Sequence, residues 1–103
     1  MAKGYWIGRV DVHDAESYKD YVASNGVAFA KFGGRFVVRG GSFETAVGTS
    51  RSRNVVIEFP SYQAALDCWK STEYQDARAK QKGGAEMDLL IIEGYDGPQP
   101  GAA

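Results

Sequence analysis

The sequence predicts an α+β fold in which a four-stranded antiparallel sheet carries its helices on one face. Three observations lead there. The hydrophobic period alternates between two and 3.6 in the order strand, helix, strand, strand, helix, strand, which is the split βαβ signature. Glycine pairs at Gly33-Gly34, Gly40-Gly41 and Gly83-Gly84 punctuate that order. The first three strands also divide their side chains between one apolar and one mixed face, and right-handed crossovers place the first and third strands centrally.

Gly4 to Val12 reads as the first strand, with Trp6, Gly8, Val10 and Val12 alternating against Tyr5, Ile7, Arg9 and Asp11. Asp14 caps the following helix, because a short carboxylate accepts from its free N–H groups and complements the helix dipole. Tyr18, Tyr21, Val22, Phe29 and Phe32 form its stripe, Asn25-Gly26 weakens its middle, and Gly33-Gly34 stops it. Arg35 to Arg39 and Arg53 to Phe59 are the second and third strands. The Gly, Ser and Thr-rich connection from Gly40 to Ser52 is expected to extend the hairpin in its middle and to be mobile at its tip. Pro60-Ser61 opens a second helix carrying Tyr62, Ala65, Leu66 and Trp69, with proline in the first turn and serine as cap. Ser71-Thr72 interrupts it. Thr72 with Gln75 has the form of a capping box, predicting a further helix over Glu73 to Lys82 with Asp76 and Lys80 paired one turn apart. Met87 to Tyr95 is the fourth strand, and Leu89-Leu90-Ile91-Ile92 predicts cover on both of its faces. Residues 1–95 thus form one domain, and 96–103 a disordered tail.

Composition narrows the function. Among 103 residues, twelve Lys and Arg stand against thirteen Asp and Glu, a formal charge of −1 that argues against nucleic acid or a polybasic membrane contact. Neither a G-x-G-x-x-G nor a G-x-x-x-x-G-K loop is present. No run approaches the ~18 apolar residues of a spanning helix, and the start MAKGYWIGRVDV lacks a signal peptide's apolar segment. Cys68 is the one cysteine, which suits a reducing compartment, and the cytoplasm is the expected location. With His13 the sole histidine, no metal site is expected, and neither heme nor flavin has sequence support.

The mixed face carries the candidate chemistry. Pairing the second and third strands so that Arg35 opposes Glu58, Val37 opposes Val56 and Arg39 opposes Asn54 puts all three charged side chains on it, away from the helices. Such a face calls for a second sheet, in which apolar centres bury each other while charges pair across a seam or line a cavity. Arg35 or Arg39 would fix a carboxylate or enolate oxygen through the guanidinium fork. Glu58 or His13 would move a proton. Arg35 and Glu58 read equally as a cross-strand salt bridge at a dimer seam. Tyr21, Trp69 and Tyr74 would shape a pocket for a flat organic molecule, or simply fill the core. Cys68 reads as a buried small hydrophobe.

Several short motifs occur together: Gly4-Tyr5-Trp6-Ile7, Asp14 with Tyr18 and Tyr21, Gly33-Gly34-Arg35, Arg39-Gly40-Gly41, Glu58-Phe59-Pro60-Ser61, Ser71 with Glu73-Tyr74-Gln75, and Glu93-Gly94. In this order they resemble the "domain of unknown function 1330" family, over Gly4 to Tyr95. The resemblance implies a ferredoxin-like dimeric α/β barrel, an architecture shared with antibiotic-biosynthesis monooxygenases, muconolactone isomerases and stress-responsive barrel proteins. It implies no established activity. The expected function is therefore a homodimer binding a small aromatic or carboxylate metabolite, with cofactor-independent oxygenase or isomerase as the reaction class by fold analogy. A non-enzymatic accessory or stress-related dimer, its charged face purely structural, is the alternative.

Overall fold

The structure is a computed structural model that describes residues 2–101. Its elements are β1 (Gly4–Val12), α1 (Ala15–Lys31), β2 (Arg35–Arg39), β3 (Arg53–Phe59), α2 (Tyr62–Lys70), α3 (Thr72–Ala79) and β4 (Ala85–Glu93). The four strands form one antiparallel sheet in the order β2-β3-β1-β4, with β1 and β3 central as the crossover rule requires.

Local chemistry sets the boundaries. Asp14 accepts from the N–H groups of Glu16 and Ser17 and starts α1. The helix runs unbroken through Asn25-Gly26, with Asn25 buried. Gly33, at φ 75°, ends it: the N–H of Gly34 returns to the Phe29 carbonyl at 2.8 Å and that of Gly33 to Ala30, a pair of bonds that requires the left-handed conformation glycine adopts freely. Ser61 caps α2, so Pro60 stands just before the cap and not inside the first turn. The cap of α3 is Ser71, not Thr72. Its hydroxyl accepts from Tyr74 N–H at 3.1 Å, while Gln75 Nε2 donates to the Trp69 carbonyl, so no capping box forms. Helix α3 ends at Ala79, Lys80 reaches Ser24 on α1 instead of Asp76, and β4 begins two residues earlier than its apolar run. No strand forms between Gly40 and Ser52.

The core lies between the helices and the Trp6 face of the sheet. Trp6 Nε1 donates to the Ala65 carbonyl at 2.8 Å, tying β1 to α2, and its ring meets Phe29 and Tyr74 edge-on at 5.3 and 4.8 Å. Trp6, Phe59, Cys68 and Tyr74 are its largest fully enclosed side chains.

One register expectation fails. Arg35 does oppose Glu58, but a β-bulge between Phe36 and Val38 leaves Val37 without a partner, and Arg39 then opposes Val55 instead of Asn54. The extra residue inverts the alternation beyond it. Val38 turns out of the helix-covered layer, and Arg39 turns into it. On β4, Leu90 and Ile92 remain 51% and 49% exposed, so the protomer covers only one face of that strand.

Candidate functional site

Between α1 and the sheet lies a cavity of about 40 Å³, room for a few waters. Helix α1 supplies Tyr18, Tyr21, Asn25 and Phe29 to its wall, α3 supplies Tyr74, and the floor is the Trp6 face of the sheet. The Tyr21 and Tyr74 hydroxyls share a 2.8 Å hydrogen bond. Burial pushes both phenols above their ordinary pKa, so at neutral pH they are hydrogen-bonding groups and not phenolate bases. Arg39 and Arg53 also line the cavity. Arg39 lies over the Phe36 ring at 4.1 Å and Arg53 over Tyr18 at 5.9 Å. No His, Asp or Glu lines this wall.

The other predicted site residues lie elsewhere. Glu58 sits on the opposite sheet face, where it accepts from Tyr5 Oη at 2.9 Å and Arg35 Nε at 3.1 Å, with Lys3 Nζ at 3.6 Å. The Tyr5 hydrogen bond, then the charges of Lys3 and Arg35, hold its pKa below the ordinary carboxylate value. A carboxylate so engaged is an anchored ion-pair partner and a poor base. Arg35 belongs to that cluster, so the structure separates Arg35 from Arg39. His13 follows β1 at the far end of the sheet, exposed, with Nε2 3.6 Å from Glu86. Eight residues of extended strand put it roughly 26 Å from the Glu58 cluster, so the two do not work on one substrate within a protomer. Trp69 packs on Tyr74 at 5.5 Å, but faces an open groove between α3 and β4. Cys68 is buried on the inner face of α2, and burial pushes its thiol up to about 12.

The reverse sheet face has a polar cluster at each end and aliphatic side chains between. Beyond the Glu58 cluster, Ile7, Val37, Val38, Leu90 and Ile92 stand partly exposed. At the far end Arg51 bonds Asp11, Glu86 and Asp88 at 2.8 to 3.1 Å, fastening the end of the long β2–β3 connection to β1 and β4. Sequence reasoning missed Arg51 in this role and Arg53 in the cavity. The second was readable: Arg53 shares the parity of Val55, Ile57 and Phe59, all helix-facing. Among the described residues no three His, Cys, Asp or Glu side chains gather to hold a metal, and no helix is long and apolar enough to cross a membrane.

Comparison with solved structures bears on the fold. RPA0582, a protein of unknown function from Rhodopseudomonas palustris, superposes with a TM-score of 0.72 at 19% identity, covering 93% of this chain and 85% of its own. SnoaB, a cofactor-independent oxygenase from Streptomyces nogalater, gives 0.62 at 14% identity, covering 97% and 99%. A conserved protein of unknown function from Bacteroides thetaiotaomicron, described as a possible oxidoreductase, gives 0.53 at 17%, covering 89% and 97%. At these identities the likeness is one of fold. Among curated proteins none matches the sequence. The motifs along the chain and the ferredoxin-like sheet agree with the sequence profile of the domain of unknown function family DUF1330, which matches residues 3–95, and the chain belongs to that family.

Proposed function

We propose that the chain is a homodimeric binding protein for a small aromatic or carboxylate metabolite, taken up in the cavity beneath α1. The carrying observation is the chemistry of that wall: aromatic rings, a hydrogen-bonded phenol pair and two guanidiniums, without a carboxylate. The second copy covers the aliphatic middle of the reverse face, and the cytoplasm suits the free thiol of Cys68.

A second reading, cofactor-independent oxygenase or isomerase, draws on the fold likeness to SnoaB. It carries a chemical condition. With no base in the wall, the substrate must be acidic enough to ionise in water, and the guanidiniums would then stabilise its enolate or phenolate.

Binding is tested by thermal shift and Trp fluorescence with a panel of flat organic molecules, using Gly8→Ala as the blocked control. A Cβ at Gly8 meets its nearest neighbours at 3.6 and 4.0 Å, so it narrows the cavity without a clash. A ligand at 100 times its Kd should stabilise the native state by about 2.7 kcal/mol. The expected result is a saturable rise in Tm that Gly8→Ala diminishes. An unchanged Tm across the panel at millimolar concentration would refute the reading.

A further inference from the structure

We infer that Arg39 and Arg53 form an anion clamp at the β2–β3 end of the cavity, and that the ligand is a planar aromatic monocarboxylate. This deepens the binding proposal and rests on it.

The charges supply the first step. Arg9, Arg35 and Arg51 each have a carboxylate within 4 Å, on the reverse face. Arg39 and Arg53 have none among the described residues, and both line the cavity. Arg53 Nε is buried without any hydrogen-bond partner, a state protein interiors rarely leave unanswered. The backbone makes room for that side chain. Gly40 takes φ 66°, and a Cβ there would stand 2.6 Å from Arg53 Nη1. The bulge at Val37 brings the second guanidinium to the same mouth.

The geometry selects the ligand class. Both guanidiniums stand against rings of the wall, Phe36 and Tyr18. A molecule with its ring among Phe29, Phe36 and Tyr18 therefore presents its edge to them, and a planar carboxylate matches the guanidinium fork. A benzene ring occupies a cavity of about 150 Å³ in a well-studied engineered case. The 40 Å³ here must enlarge to admit a ring, which would then lie beside Arg39 on Phe36.

The test titrates the full chain with benzoate and benzamide, read by calorimetry and Trp fluorescence. Benzoate should bind at least about tenfold tighter than benzamide, the gain typical of charge-assisted hydrogen bonds. Arg53→Gln should reduce the benzoate preference to about threefold or less and leave benzamide unchanged; Gly40→Ala should act in the same direction. Arg53→Lys, which keeps the charge without the fork, should give an intermediate preference and serves if the glutamine variant fails to fold. Arg9→Gln, on the reverse face, should change nothing. Equal binding of acid and amide, or a preference that survives both Arg53→Gln and Gly40→Ala, overturns the clamp alone. If neither benzoate nor benzamide binds the wild-type chain, the cavity reading falls and the clamp with it.

Discussion

Tyr74→Phe removes one oxygen from the centre of the molecule, and the surroundings of that oxygen set the size of the loss. Tyr74 is fully buried and Tyr21 nearly so, and their hydroxyls bond each other at 2.8 Å. The substitution deletes that bond and strands a hydroxyl away from water, which together cost about 1 to 3 kcal/mol. At ~1.5 kcal/mol a domain of this size should lose about 6 to 12 °C in Tm. Tyr74 is enclosed more completely than Tyr21, so Tyr21→Phe, which strands the Tyr74 hydroxyl, should cost more than Tyr74→Phe. The double variant leaves neither hydroxyl stranded. Its cost should fall short of the two singles together by about 1 kcal/mol. Urea unfolding at a fixed protomer concentration measures all three, followed by fluorescence of Trp6 and Trp69, whose rings lie 4.8 and 5.5 Å from Tyr74. Single costs that add in the double variant to within about 0.4 kcal/mol would show that the hydroxyls do not bond each other, and the wall chemistry would need redrawing.

Leu90→Asp tests the proposed homodimer. Burying the exposed half of Leu90 in a dimer is worth about 1 kcal/mol per protomer, and the new carboxylate would face the seam beside Asp88 on β4. The dimer dissociation constant should rise by about 100-fold or more in sedimentation equilibrium; an unaltered dimer would place the seam elsewhere. Glu58 has a lowered folded-state pKa, so its contribution to stability is present above its ordinary value of 4.5 and is lost as pH falls through the folded value. Acid unfolding below about pH 4.5 should therefore be less steep in Glu58→Gln, and superimposable profiles would remove Glu58 from the acid response. Cys68, with its thiol held at about 12 and fully enclosed, should resist iodoacetamide at pH 8 until urea unfolds the chain. Rapid native labelling, read by mass, would contradict its place on the inner face of α2.

The first three strands were legible because each is rich in β-branched and aromatic residues and is flanked by residues that cannot continue it. Trp6, Val10, Ile57 and Phe59 showed the covered face, and the observed bounds of β1, β2 and β3 coincide with those expected. The bulge was not legible. Val37 and Val38 are both β-branched and apolar, so no change in period betrays the extra residue, and strict alternation puts Arg39 in the wrong layer. The α3 cap was displaced by one residue because Ser71 and Thr72 carry interchangeable hydroxyls. Arg51 escaped notice because its three carboxylates come from β1 and β4, far along the chain, and only the folded sheet gathers them. Grouping Arg39 with Glu58 inherited the register error, and adding His13 overlooked the length of β1.

The unpaired Val37 acts as a one-residue phase shifter. Deleting it would leave Arg39 opposite Val55, whereas pairing it with Val56 would restore simple alternation and carry Arg39 from the helix side of the sheet to the reverse face, with no change to any amino acid. The wall would then hold a single cation, and the outer layer would gain one among its aliphatic neighbours. A shift of one position in the pairing thus redirects charge between two chemically distinct faces, a change in function by register and not by substitution.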